Sequence, residues 1–519
     1  MQDLWNRYIE NDHAKVVAEA DKALFAASAP DMLHVSGLSL LSLGRIQEAL
    51  PRLRAALTLF PSASWFANTA IATLNSGATQ ESAAFAKAGL VLYPGDAVLN
   101  FAYGNALMAA NDCDAALAFF EKALAIDPSM ADARLNLANC LRRLNRFAEA
   151  LAAYDGLLAM EPGNIPALVN KVSALMETGR DGEAEAILLD LGKTGLPEVD
   201  FMRSMIRLAE GDYEQGWALY RKRWSCAFAA TDAAQFRAPL ANSLTDIAGK
   251  RVLVSHEQGF GDSLQFVRYV PLLARFGEMV GCRVALLAPK PLARLFANLD
   301  KVGEVVTSRD DAGQIDLEVP MLDLPYLFGT KLDTIPATLP YLRAPAELLD
   351  KRRLPFAKDD TRLKVGLCWA GQMRSNPDLA AVDRRRSMRL ADFHDLDMDG
   401  VALVSLQLGE PARQVEEVPA GMEIMTPLDP SFDFADTAAV IEQLDLVITV
   451  DTAVAHLAGA LGKPVWVLSR YDACWRWLKG RDDSPWYPKV MRLFRQTVPG
   501  DWSGPLAEVR AALAERAAR

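Results

Sequence analysis

The feature that most constrains the fold is a unit of about 34 residues that recurs through the first half of the chain. In its clearest copy, residues 97–130, Tyr103 and Gly104 allow a first helix to approach its neighbour closely. Ala116, Phe120 and Ala123 lie on one face of a second helix, and Pro128 ends the unit. Leu137, Ala138, Ala150, Tyr154, Leu157 and Pro162 take the same places one period later, and Ala70, Ala86 and Pro94 one period earlier. The segment from Pro30 carries Gly37, Leu40, Ala49, Leu53, Ala56 and Pro61, whereas residues 165–195 keep Leu175, Gly179, Ala184 and Leu188 without the proline. A final copy at 208–224 ends in aromatics, including Trp217 and Trp224, and reads as a capping or docking unit. Small residues at fixed places with large apolar ones between them are what stacked helical hairpins need to interlock. Such stacks form a groove suited to an extended peptide. Asn68, Asn100, Asn105, Asn136, Asn139 and Asn170 could present carboxamides there, or could simply be solvated polar positions.

A chain of 519 residues is too long for one core. Its net charge of −11 argues against nucleic acid or an anionic membrane as the main partner, because phosphate binding rests on clustered Lys and Arg. The first residues, MQDLWNRYIENDHAKVV, lack the apolar core and small-residue cleavage site of a secretory signal. No uninterrupted apolar run is long enough to span a membrane, so a cytoplasmic protein without membrane insertion is expected. Cys113, Cys140, Cys226, Cys282, Cys368 and Cys474 are dispersed without a CxxC pair, the pattern of free thiols rather than of disulfides or zinc.

From Arg251 the apolar runs become short and β-branched and alternate with helical patterns, which predicts parallel sheets with crossover helices. Strands are expected at 251–256, 283–288, 304–307, 364–370, 401–407, 445–450 and 464–468, with irregular chain through MLDLPYLFGTKLDTIP. The predicted organisation is α plus α/β. A helical-repeat array fills 1–230, a linker 231–249, a first Rossmann-like half 250–345, a second linker 346–362 and a second half 363–519. Ligands of such sheets bind beyond the carboxyl ends of the strands.

The candidate motifs fall at those ends. HEQGFGDSLQF runs from a strand through Gln258, Gly259 and Gly261 into a helix, where Asp262 is either a first-turn acid or a base for an acceptor hydroxyl. DLVITVDTAVAHLAGALGKPVW ends a strand at Asp451 and Thr452 and opens a helix with Ala453 and, one turn in, His456. That terminus suits phosphate or sugar hydroxyls, though capping alone explains Asp451 and Thr452 and packing alone explains His456. A third strand ends in Trp369-Ala370-Gly371 before a loop with Arg384, Arg385, Arg386 and Arg389, residues suited to phosphate or to solvent. Strand 401–407 ends in Gln407. Trp475, Trp477 and Trp486 surround Arg476 and either stack on a base or close the domain. DLDMDG at 395–400 reads as a turn rather than as a metal site.

The repeats resemble tetratricopeptide repeats, and the two halves resemble GT-B sugar transferases of the heptosyltransferase type. Their order along the chain is similar to that of bacterial repeat-fused flagellin glycosyltransferases and, more distantly, of O-GlcNAc transferase. The resemblance implies a metal-independent, inverting protein O-glycosyltransferase. It would move a sugar from a CMP- or UDP-linked donor, with no further cofactor, to Ser or Thr of a protein held by the array, flagellin first among candidates. It assigns the base to Asp262, with His456 as the competing group, and donor phosphate to Arg386, where heptosyltransferases carry lysine. Donor contacts fall on Asp451, Thr452, Ala453 and His456, and the substrate-binding set is completed by Gln258, Gly259, Gly261, Trp369, Gln407 and Arg476. The alternatives are a lipid or glycan acceptor, or a non-catalytic adaptor with a degenerate transferase half.

Overall fold

The computed structural model describes residues 2–24, 29–297, 299–418 and 421–518. The chain divides into two compact units, Met1–Leu175 and Met176–Arg519. The first holds α1 (Gln2–Ile9), α2 (His13–Leu24), α3 (Pro30–Ser42), α4 (Ile46–Leu59), α5 (Ala63–Asn75), α6 (Thr79–Leu92), α7 (Ala97–Ala109), α8 (Cys113–Ile126), α9 (Ala131–Arg143) and α10 (Phe147–Met160). The division falls inside α11 (Ile165–Glu177). Helices α12 (Asp181–Leu191), α13 (Pro197–Glu210) and α14 (Tyr213–Tyr220) belong to the second unit, whereas the sequence runs the array on to residue 230.

The expected interlock is present. A Cβ added at Gly104 of α7 would lie 2.7 Å from the Phe120 ring of α8, and one at Gly37 of α3 would lie 2.8 Å from Leu53 of α4. Ala49, Ala70, Ala86, Ala116, Ala123 and Ala150 are fully buried at their recurring positions. The asparagines divide by role. Asn100 is buried and spends its amide on the carbonyls of Asp96 and Pro94, so it offers nothing to a groove. Asn136 donates to Asn105 at 2.8 Å, and one period on Asn170 donates to Asn139 at 2.9 Å, forming a carboxamide row over α7, α9 and α11. Asn68 pairs with the His34 ring at 3.2 Å.

In the second unit, β1 (Arg251–Ser255), β2 (Arg283–Leu287), β3 (Glu304–Val306) and β4 (Leu317–Pro320) form a parallel sheet in the order β3-β2-β1-β4. A second parallel sheet contains β5 (Leu363–Cys368), β6 (Val401–Ser405), β7 (Ile424–Met425), β8 (Leu446–Val450), β9 (Val465–Ser469) and β10 (Met491–Arg495). Its order, β10-β9-β8-β5-β6-β7, is the doubly wound Rossmann arrangement, with β5 and β8 adjacent at the point where the winding reverses. β6, β8 and β9 are buried at every residue, as strands covered by crossover helices on both faces must be. β4, β7 and β10 were not expected from the sequence. The order of helical repeats followed by two Rossmann-like halves holds.

Tyr213, Trp217 and Tyr220 of α14 are buried in the same core as Val252 of β1, Phe266 and Trp475, so the aromatic end of the repeats docks as expected. The cysteines are free thiols, all buried except the half-buried Cys474. Among the described residues, no helix is long and apolar enough to cross a membrane.

Candidate functional site

Behind β1 the chain turns through Gln258, whose φ of +59° is a left-handed conformation uncommon outside glycine. Gly259 then caps the Phe260–Phe266 helix. Asp262, third in that helix, accepts the Gly259 N–H at 2.9 Å, so the first-turn role is real. Its other oxygen pairs with the Arg476 guanidinium. The Gln258 amide donates to the Tyr220 hydroxyl at 2.6 Å. Beneath the turn lies a buried charge cluster: Arg223 grips Glu257 through two bonds of 2.7 and 2.9 Å and meets Asp323, just beyond β4, at 2.7 Å. Burial pushes the Glu257 carboxyl up, against the pull of Arg223. This cluster joins the 3-10 turn Arg221–Ser225, which follows α14, to the ends of β1 and β4, and no local sequence signal announced it.

At the reversal point of the second sheet, β5 runs out at Cys368 and Trp369. Gln407 braces this end. Its amide oxygen accepts the N–H groups of Trp369 and Ala370 at 3.1 and 2.9 Å, and its amide nitrogen donates to the carbonyls of Ala370 and Leu408. The carboxamide is therefore committed to main chain, and the Trp369 ring is fully buried beside Val365 and Phe393. Both side chains thus shape the end of β5, and the Trp369 ring nitrogen has no hydrogen-bond partner. Arg386 closes the Pro377–Arg386 helix over Gly371, where an added Cβ would lie 2.7 Å from the guanidinium. It pairs with the buried Asp383 at 2.8 Å and donates to the Asp451 carbonyl at 3.2 Å, while its buried Nε has no partner. Thr452 caps the Ala453–Ala460 helix through Val454 N–H at 3.3 Å.

The other arginines of this segment differ: Arg384 and Arg389 are exposed, whereas Arg385 is enclosed among carboxylates. Arg385 pairs with Asp472 and Glu177, Arg389 with Asp392, and Arg374 forks onto Asp383. Arg470, just beyond β9, is a cation that no sequence motif marked. It is held by Asp472 at 2.9 Å, and the field of Asp451 helps to keep it charged against burial.

The two strand-end motifs meet at Gly261. A Cβ there would lie 2.9 Å from the His456 ring and 3.6 Å from Ala453 Cα, so the absence of a side chain lets the Phe260–Phe266 helix sit on the Ala453–Ala460 helix. His456 is buried, stacked on Trp477 with ring centroids 5.0 Å apart, and its Nδ1 meets the Tyr487 hydroxyl at 2.9 Å. Burial pushes its pKa down to about 4, so the ring is neutral near pH 7. Tyr487 leads to Tyr341, which accepts from the buried Arg268 at 2.8 Å. Trp475, Trp477 and Trp486 are interior and close the domain rather than stack on a ligand. Arg476 lies over the Trp475 ring at 4.2 Å. DLDMDG forms a turn before β6, where Asp397 accepts the Glu423 N–H. A surface depression of about 500 Å³ lined by Tyr213, Lys331 and Arg481 lies apart from these residues.

Comparison with known proteins identifies the parts. Residues 35–97, 101–165 and 143–195 match the tetratricopeptide repeat families. The chain thus joins tetratricopeptide repeats to a two-sheet α/β part. Within that part, residues 397–472, which carry Gln407, Asp451, Thr452, Ala453 and His456, match glycosyltransferase family 9, the heptosyltransferases. Protein FlbA of Caulobacter vibrioides is 31% identical over 372 residues, which span 65% of this chain and 60% of FlbA. Among solved structures, a tetratricopeptide repeat protein of Parabacteroides merdae, 16% identical, aligns over 45% of this chain and 94% of its own with a TM-score of 0.39. A thermophilic tetratricopeptide repeat protein of Thermus thermophilus, 21% identical, aligns over 34% and 97% with a TM-score of 0.30.

Proposed function

We propose that the α/β part is a GT-B glycosyltransferase that moves a sugar with inversion from a nucleotide-linked donor to a Ser or Thr hydroxyl of a protein, in the cytoplasm. The observation that carries this reading is the approach of Asp262, through Gly261, to the Thr452-capped helix of the segment matching glycosyltransferase family 9. The acceptor hydroxyl gives its proton to the Asp262 carboxylate, and its oxygen bonds the anomeric carbon on the face opposite the nucleotide. The bond from that carbon to the phosphate oxygen breaks, and its electron pair leaves with the phosphate. The leaving charge is met by Arg386, with its unpartnered Nε, and by the N–H groups at the Thr452 terminus, so this scheme assigns no role to a metal. His456, neutral and bonded to Tyr487, orients rather than titrates.

The tetratricopeptide repeats recruit the acceptor, and the carboxamide row of Asn105, Asn136, Asn139 and Asn170 supports binding of an extended backbone. Flagellin is the leading acceptor by resemblance. We assign the functional divisions as array 1–230, acceptor half 250–345 and donor half 363–519. One observation favours a binding module without turnover instead: both Asp262 oxygens are already engaged. Thermal-shift titration with UDP-, GDP-, ADP- and CMP-linked sugars, followed by transfer assays with wild type and Asp262→Asn, separates the readings. A selective shift, with transfer lost in the variant, supports the transferase. No shift with any donor, or transfer untouched by the substitution, removes it.

A further inference from the structure

We infer that Asp262 and Arg476 form a latch that the donor phosphates open, so that donor binding releases the base. The inference rests on the transferase reading above. Asp262 comes from the first half and Arg476 from the second, and they meet beside the first turn of the Ala453–Ala460 helix, where Gly261 approaches Ala453 and His456. Asp262 has one oxygen on the Gly259 N–H and the other on Arg476. A carboxylate held in this way is a poor receiver of a substrate proton, because the incoming hydroxyl must compete with a guanidinium.

Arg476 is under-satisfied. Its side chain is only 10% exposed, its Nε has no hydrogen-bond partner, and its Nη1 reaches only the Cys474 sulfur at 3.1 Å. Among the described residues, Asp262 is thus the one carboxylate that pairs with Arg476, whose guanidinium has largely left water. A nucleoside phosphate at the Thr452 terminus offers more charge and a forked acceptor, and so out-competes it. The Trp475 ring beneath the guanidinium keeps its plane while its donating edge changes partner. The Asp262 oxygen freed in this exchange then faces the acceptor. The consequence is ordered binding, donor before acceptor, with Arg476 positioning the base in the resting state and holding phosphate in the loaded one. Coupling of this kind is reciprocal: whatever loosens the latch must raise phosphate affinity.

The test is calorimetric titration of the full-length chain with UDP, GDP, ADP and CMP. Asp262→Asn keeps an oxygen for the Gly259 N–H and removes the charge that holds Arg476. It is expected to tighten binding of the preferred nucleotide by roughly fivefold or more. Arg476→Gln should weaken binding by about tenfold, the scale of one lost charge-assisted contact. In that background, adding Asp262→Asn should change nothing. Ligand-free melting curves establish that each variant folds, and Asp262→Ser, which can still cap Gly259, gives the same comparison if the asparagine variant does not. Wild-type binding with unchanged or weaker affinity in the folded Asp262 variant overturns the latch and leaves the donor reading standing. The same holds if Asp262→Asn tightens binding equally with and without Arg476. If none of the four nucleotides binds wild type, the donor reading fails and the latch fails with it.

Discussion

Replacing His456 by glutamine should remove one defined part of the acid sensitivity of this fold. The ring is buried, and burial holds its pKa near 4 against an ordinary 6.5. Below 6.5 the unfolded chain takes up a proton that the folded site refuses, so the unfolded state binds more protons and stability rises with pH across this window. The contribution is therefore complete above 6.5 and is lost as pH falls toward 4, a span worth about 3 kcal/mol at 1.36 kcal/mol per unit. Urea unfolding of wild type and His456→Gln at about pH 7 and about pH 4.5 measures it: wild type should lose about 2–3 kcal/mol more than the variant between these conditions. His34, which burial also pushes to about 4, is present in both proteins and cancels. The quantity read is the change in pH dependence, so a general destabilisation by glutamine does not disturb it. Parallel stability–pH profiles for the two proteins would refute the claim that His456 is held neutral by burial, and with it the orienting role assigned to the ring.

Gly261→Ala should cost about 1–3 kcal/mol by overpacking the His456 contact, and should also lower nucleotide-dependent stabilisation; a melting series with and without ligand reads both. Asp383→Asn removes the charge that orients Arg374 and Arg386 and should cost about 1.5–3 kcal/mol in urea unfolding, with weaker nucleotide binding through the loss of Arg386 geometry. Gly104→Val drives a branched side chain into Phe120 and should destabilise the first unit by about 1–3 kcal/mol while leaving nucleotide affinity unchanged, as separate chemical-denaturation and calorimetric measurements would show.

The repeats were legible because interlocking hairpins need small residues at fixed places, and Gly37, Gly104 and Ala138 cannot be hidden by context. The longer buried strands were legible for a similar reason, since strands covered on both faces leave unbroken apolar runs. β4 escaped because Glu318 interrupts its run. That carboxylate is fully buried and paired with Arg309, a compensation that sequence does not display. β10 escaped because Arg492 and Arg495 break its apolar run. At the site, the strand ends and helix termini were found through their glycines and caps. What was not legible is which polar groups are already committed. Gln407 is spent on backbone 37 and 38 residues away, and Arg385 on an aspartate 87 residues away. Asp262 meets an arginine 214 residues away, so sequence offered its two roles without showing that the first-turn bond and the arginine contact coexist.

The buried cluster of Arg223 with Glu257 and Asp323 sets where this protein can be cut. A fragment begun at the linker near residue 240 would lack Arg223 and Arg221 and would leave two carboxylates enclosed without their cations, together with the holes vacated by Trp217 and Tyr220. Losing one side of such a buried pair costs about 3–5 kcal/mol, on the scale of a whole domain's stability. An expression boundary drawn between α11 and α12 keeps the cluster intact. The last helices of the repeat region are, for purposes of dissection, part of the α/β half.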